Sequence, residues 1–440
     1  MGKKLMLAVA MVALMAAPSF AAVQNVKVSG SIATTSVIRA DFNANTTRDR
    51  QNEVFAQTHL NVSADLTDNV TTNIGLLQER LWGNAGGSDQ ASTGSIDLET
   101  AYVSMKEFLY SPLTVTVGRQ PLKYGNQLII GSSVQSGLTA GNVTAVPDLT
   151  DKGNFDAIKA VLTYDPLTVD LFASRISNNG TVGATGTNDI HDNVNLYGVN
   201  ANYKLGDKMS TVVEAYTFLK QDDSKDNRNL TPFHKSENTF VPGLRVSTNP
   251  IEGLNVQLEG AYQMGNVWNN GTGTAMTNRD AFAFQGMVNY ALPVLKNLKP
   301  VLAGAYTYLS GNKPGSTKGR AWDAMFEHQN TGRIFDTSAV GNLASSNSQL
   351  VTVSGEITPI QDLTAKASWN GLWKAEKPVD TTTANLSRYI GSEIDLDLTY
   401  AYTEDVKFGM SAGQFLTGKN YIYPNNKNAT QVLSSVSVAF

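Results

Sequence analysis

Catalysis and metal binding need side chains that converge, and the chain offers few candidates. Its four histidines are His59, His191, His234 and His328. No two have metal-ligand spacing, and there is no HExxH. His59 stands on a polar strand face near Ser63. A catalytic role would need a nucleophile, a base and an orienter together, and lining a pore is the plainer reading. Cysteine is absent, which removes thiol nucleophiles, disulfides and thiolate metal sites. "GNKPGSTKGR" (311–320) is not GxxxxGK[ST] and has no strand and helix around it, so it reads as a loop. "DDSKDN" (222–227) has acidic spacing but lacks the Gly and Glu of an EF-hand loop. No catalytic residue, cofactor or metal is expected.

What remains is charge set at regular positions. Residue parity places Lys159, Lys204, Arg245 and Lys366 on polar strand faces. It does the same for the acidic residues Asp97, Glu99, Asp170, Glu214, Glu259, Glu356, Glu393, Asp395 and Asp397. A Lys or Arg facing hydrocarbon costs about 2–4 kcal/mol near the bilayer midplane. Charges kept to one face therefore predict a polar, water-filled lumen. Opposed charges in a narrow lumen set ion selectivity and orient solutes; they can also pair across it and stiffen the wall. Arg119, in "LTVTVGRQPLKYGNQLIIG", has the parity of Val115 and Val117. A bulge at Gly118 would turn it inward. The expected pore-lining or constriction groups are Arg119, Lys159, Arg245, Glu259, Lys366, Glu393, Asp395 and Asp397.

The elements that must position these charges are strands. In "VFAQTHLNVSADL", Val54, Ala56, Leu60, Val62, Ala64 and Leu66 share one face, and Gln57, His59, Asn61, Ser63 and Asp65 share the other. "GLNVQLEGAYQMG" and "GSEIDLDLTYAY" repeat the alternation, which marks strands with one apolar and one polar face. About 18 such segments occur, most of the roughly 9–11 residues that a tilted strand needs to cross a bilayer. Short links such as "TDN", "YSP", "DP" and "TED" alternate with longer polar stretches, the longest near 122–154 and 311–346. Short turns on one side and long loops on the other are the pattern of an outer-membrane barrel. Tyr164, Tyr203 and Tyr400 lie on apolar faces near short turns, at the level where Phe440 ends the chain. Such rings suit the headgroup zone.

Composition agrees. Charged residues make up 16 % of the 440, against about 25 % in soluble domains. "MGKKLMLAVAMVALMAAPSFAA" reads as a secretory signal spanning 1–21, with cleavage after Ala21, leaving 22–440 as one barrel. No later apolar run approaches roughly 20 residues, so no membrane helix follows. Without Lys3 and Lys4 the chain has 32 basic residues against 38 acidic, which argues against a nucleic-acid partner.

Four stretches carry a family resemblance: "TVGRQPLKYGNQLIIG", "NFDAIKAVLTYD", "AWDAMFEHQNTG" and "IGSEIDLDLTYAYTEDVKFGMSAGQFLTG". They resemble the alginate-export type of outer-membrane barrel, most specifically at the C-terminus. The resemblance implies a monomeric barrel in a Gram-negative outer membrane. It also implies that the Phe440 strand is read by the barrel-assembly machinery, and that Arg119, Glu393 and Asp395 are lumen or constriction groups. The family's polysaccharide exporter has an arginine-rich lumen, whereas the lumen predicted here is mixed and leans acidic. The expectation is thus an all-β, closed antiparallel transmembrane barrel with short periplasmic turns and long extracellular loops. It would sit in outer-membrane lipid and pass small hydrophilic solutes or ions passively. Polysaccharide export is an alternative, as is a plugged barrel serving as enzyme or adhesin.

Overall fold

A computed structural model of the chain describes residues 24–42, 49–83, 96–133, 147–178, 193–223, 236–268, 276–313, 315–329, 332–335, 344–377, 387–418 and 427–440. The expected signal segment and the greater part of "DDSKDN" lie outside the described residues. The strands are β1 (Gln24–Ala40), β2 (Arg50–Thr67), β3 (Val70–Leu81), β4 (Ile96–Met105), β5 (Leu113–Gln120), β6 (Phe155–Tyr164), β7 (Leu167–Asn178), β8 (Asn193–Lys204) and β9 (Val212–Asp222). The second half adds β10 (Glu237–Ile251), β11 (Leu254–Trp268), β12 (Met276–Ala291), β13 (Val301–Leu309), β14 (Ser348–Ile360), β15 (Leu363–Lys374), β16 (Tyr389–Ala401), β17 (Val406–Thr417) and β18 (Ala429–Ala439). All 18 strands form one antiparallel sheet in which each pairs with its sequence neighbours.

The sheet closes on itself. β1 pairs with β18 from Ser31↔Ala439 to Ala40↔Thr430. The last residue completes the seam, with Phe440 N–H donating to the Gly30 carbonyl at 3.0 Å and Gly30 N–H to the Phe440 carbonyl at 2.9 Å. The Phe440 ring covers Gly30 so closely that a Cβ there would lie 2.8 Å from the ring and 2.6 Å from the His59 carbonyl oxygen. Glycine is required because the terminal aromatic occupies the space of its side chain.

Which face is greasy separates this barrel from a soluble sheet. On β11, Leu258, Tyr262 and Met264 are exposed, while Glu259 and Gln263 are buried. On β16, Ile394, Leu396 and Tyr400 are exposed, while Glu393 and Asp395 are buried. An apolar face turned outward and a polar face turned inward invert the soluble arrangement, as a hydrocarbon surround demands. Tyr164, Tyr203, Tyr400 and Phe440 are all exposed near the short-turn end, as an aromatic girdle requires.

One expectation is corrected. Gly118 has φ of +126°, yet β5 pairs without a register shift on either side. Tyr102↔Gly118 is followed by Ala101↔Arg119, and Gly118↔Ala157 by Arg119↔Asp156. A bulge needs an extra unpaired residue, and none exists. Gly118 instead takes, within register, a backbone conformation that a side chain would not allow, and Arg119 keeps the outward parity of Val117.

Gly30→Ala places a methyl group against backbone and ring together. It is expected to cost about 1–3 kcal/mol as an overpacking change. The check is the fraction of refolded protein that migrates fast on an unheated gel, which should fall. Phe440→Ala on the Gly30→Ala background should recover part of the loss.

Candidate functional site

The lumen face of β6 to β13 carries large apolar side chains: Phe155, Phe172, Leu196, Phe218 and Val241 are all buried. Such residues facing water would be costly, at about 25 cal/mol per Å² of apolar surface. Two segments cover them. After β5 the chain leaves the wall, and Leu122, Tyr124, Leu128, Ile129 and Ile130 pack onto this face. After β13, Trp322, Met325 and Phe326 do the same. Tyr124 stacks on Phe172 with centroids 5.3 Å apart. The two segments are also bonded to each other: Phe326 N–H donates to the Ile129 carbonyl at 3.0 Å, and Gly131 N–H to the Phe326 carbonyl at 2.7 Å. Long stretches near 122–154 and 311–346 thus fold into the lumen in their described parts.

Charged wall residues fix where these segments sit. Glu259, 1 % exposed, accepts the Asn126 N–H at 2.6 Å and the Tyr216 hydroxyl at 2.7 Å. Glu214 accepts the Gly125 N–H at 2.9 Å. Arg245 donates to the Asn126 side-chain oxygen at 2.6 Å, to Gln257 at 2.8 Å and to Glu214 at 3.2 Å. Two predicted residues, Arg245 and Glu259, therefore meet at the tip of the first segment. Lys159 is half-buried on the same wall, opposite Phe172 and Thr116 in register.

A second anchor holds the Trp322–Phe326 stretch. Gln263, fully buried, accepts the Asp323 N–H at 2.9 Å and donates to the Asp323 carbonyl at 2.7 Å. The Asp323 carboxylate pairs with Lys220 and lies 3.8 Å from Arg279. Burial opposes its charge, but Lys220, Arg279 and the Met325 N–H outweigh that and hold its carboxyl down to about 2.

The third anchor lies across the lumen. Glu393, 0 % exposed, accepts three consecutive backbone N–H groups, from Arg333 at 2.5 Å, Ile334 at 2.9 Å and Phe335 at 2.8 Å. Ile334 and Phe335 then pack with Leu350, Leu372, Ile390 and Phe415. Asp395, one row down, lies 3.3 Å from the Ser368 hydroxyl and 3.2 Å from the Asn370 amide. Asp397 takes Arg333 at 3.0 Å and Ser411 at 2.6 Å. In register, Lys366 faces Glu356 on one side and Asp397 on the other. It is inward yet exposed, so the lumen is open to solvent at that level.

A fourth set ties residues 148–152 to the β1–β4 wall. Asp148 pairs with Arg39. Glu79 accepts the Thr150 hydroxyl at 2.7 Å and the Asp151 N–H at 2.8 Å. Lys152 meets Asp97 at 2.6 Å. His59 sits between Glu99 and Asp151, 3.0 Å from each. Those contacts make it a wall residue held between two carboxylates rather than a partner of Ser63.

The eight predicted residues thus do not form one ring. Arg245 with Glu259, and Glu393 with Asp395 and Asp397, form separate anchors. Lys366 lies below the third anchor, Lys159 stands on the wall near Asp170, and Arg119 is outside the lumen. Sequence reading missed Arg39, Lys220, Arg279, Gln263 and the loop residue Asp323. A usable signal was present in "VVEAYTFLKQD", where Tyr216 and Phe218 occupy the face of Glu214 and Lys220. Aromatic residues among lumen charges indicate that something covers them. Among the described residues, no cluster of three or more His, Asp or Glu is placed to hold a metal.

The fold and lumen define an outer-membrane β-barrel with inward-folded segments. The chain belongs to the alginate export family, whose model matches residues 26–434. No match was found among proteins of curated function. The fold is similar to that of Pseudomonas aeruginosa OccK8 (OprE), at 12 % identity over 95 % of this chain and 99 % of that one, with a TM-score of 0.56. It is also similar to Pseudomonas aeruginosa OpdK solved with vanillate, at 9 % identity over 94 % and 98 %, with a TM-score of 0.55.

Two outcomes test the anchors. Glu393→Ala removes three charge-assisted bonds, each of order 1.5–3 kcal/mol before compensation. Limited proteolysis should then cut near Arg333 faster, while β-sheet content is kept. Asp323 is depressed in the folded state, so its contribution is complete above about pH 4 and is lost as pH falls through about 2. Emission from the buried Trp322 should shift red across that window. Asp323→Asn should abolish the pH dependence of that shift.

Proposed function

We propose that this outer-membrane barrel is a passive channel for small hydrophilic solutes or ions, narrowed by two segments anchored to its wall. The observation that carries this is the contrast within the lumen. Buried carboxylates hold the inward segments in its upper part, whereas Lys366 is exposed on the inner face below them. Arg245, Glu259, Glu393 and Asp397 act in this reading as constriction groups, and Lys366, Asp395 and Lys159 line the passage. Selectivity follows from charge placement and width. No covalent step is needed, and the chain is not an enzyme.

Family membership favours a second reading, passage of an acidic polysaccharide. The inner face counts against an electropositive conduit, because Arg245, Lys220 and Arg333 are each paired with Glu214, Asp323 and Asp397. A small anionic aromatic such as vanillate, the ligand of OpdK, is a better trial solute.

In planar bilayers the refolded protein should give discrete conductance steps. Glu393→Ala, with the second segment loosened at one wall, should raise the conductance or its noise. Lys366→Glu should move the reversal potential under a salt gradient toward cation preference. Silent bilayers from correctly folded protein would overturn the channel, and an unmoved reversal potential would remove Lys366 from the passage.

A further inference from the structure

The lipid-facing wall of a barrel excludes uncompensated charge, and Arg175 departs from this rule. It lies on β7 on the face of Ala173 and Leu171, and Leu171 is exposed. Leu167 begins that strand at a short periplasmic turn. With a rise of about 3.3 Å per residue and a tilt of about 40°, Arg175 stands roughly 20 Å higher. That is near the top of an apolar band about 25 Å tall, at the headgroups of the outer leaflet.

The neighbouring charges are already satisfied. Asp156 is opposite Arg175 in register, but both its oxygens are held by Arg119, at 2.8 Å each. The third guanidinium nitrogen of Arg119 donates to the Leu98 carbonyl at 3.0 Å. Lys152 pairs with Asp97, and Glu99 with His59. Arg175 itself reaches Asn195, by its Nε, at 3.3 Å. Among the described residues, no carboxylate is bonded to it.

Two hollows adjoin it. One, of about 290 Å³, opens at the rim where β5 leaves the wall; Asp97, Glu99, Arg119, Lys152, Asp156 and Arg175 line it, with Phe155 on its inner side. The other is an apolar groove of about 480 Å³ on the outer wall, lined by Ile158, Ala160, Leu171, Ala173, Tyr197 and Val199. The register sets them side by side. The row Asp156–Arg175–Asn195 sits directly above Ile158–Ala173–Tyr197, which sits above Ala160–Leu171–Val199. Ala160 and Ala173 give the groove its floor.

We propose that this is a binding site for a phosphate-bearing lipid of the outer leaflet, with the phosphate on Arg175 and an acyl chain in the groove. Arg binds phosphate through two parallel N–H bonds, and here its Nη atoms remain for that role. The groove below continues in the direction in which an acyl chain enters the membrane.

The test uses the full barrel in dodecyl maltoside micelles, titrated with bisphosphorylated lipid A, with bound lipid read by native mass spectrometry. Wild type should retain one lipid A. Arg175→Ala should weaken retention about tenfold, the scale of one lost charge-assisted pair. Ala173→Trp, which fills the groove without touching the arginine, should weaken it similarly. Both variants should keep wild-type conductance, since both positions lie outside the lumen. The proposal is overturned if both variants retain lipid A as wild type does. It is also overturned if inorganic phosphate displaces the lipid at equal concentration. A third overturning result is that Ala173→Trp disrupts a dimer while lipid occupancy stays unchanged, which would give the groove to a second copy of the chain.

Discussion

A sheet in hydrocarbon cannot keep an edge. Each unpaired N–H or carbonyl there costs several kcal/mol, so the first and last strands must find each other. Here β1 carries the burden. It pairs along β2 and β18 at once, and its Gly30 gives up a side chain so that Phe440 can seal the seam. Once the ring is closed, the pleat decides the rest: alternate residues go to lipid and to lumen. The exposed valines of β18, Val432, Val436 and Val438, and the inward serines Ser435 and Ser437 between them are one consequence.

Closure creates an interior that must be filled or wetted. The barrel does both, in different places. Where the inner face is apolar, on β6 to β13, it is covered by the segments that follow β5 and β13. Where it is polar, single wall carboxylates catch backbone N–H groups of those segments. Glu393 and Glu259 work alike in this respect. Each is buried, each sits on a rigid strand, and each satisfies donors that a loop brought into the lumen would otherwise leave unpaired. This is why irregular backbone is tolerated at membrane depth, since it is enclosed by protein rather than lipid.

The sequence made the strands, the turn alternation and the facing of most charges legible, because hydrocarbon enforces a strict period of two on every strand. Parity gives a face but neither a height nor a partner. Glu393, Asp395 and Asp397 share the one polar face that parity gives them, yet nothing in their spacing announces residues 333–335, which arrive from a distant loop without periodicity. Asp323, on such a loop, escapes for the same reason, whereas Lys220 stands on a polar face that the alternation of β9 marks. Arg119 shows the converse. Its parity pointed outward, and the bulge invoked to reverse it was unnecessary, because Asp156 on the next strand supplies a partner on the outer face itself.

A count of inward charges also misjudges the field inside the lumen. Glu214 with Arg245, and Asp397 with Arg333, are close pairs. Each acts on a distant ion as a dipole, and screening over about 8 Å weakens it further. Lys366 differs. It is exposed, and it faces Glu356 and Asp397 only across the ladder. In the proposed channel it therefore acts on a passing solute more than any buried anchor does. The acidic lean read from parity counted groups whose charge is already spent on holding the inward segments in place. The wall's charges divide into those that shape the lumen and those that face its contents, and burial, not sign, separates the two.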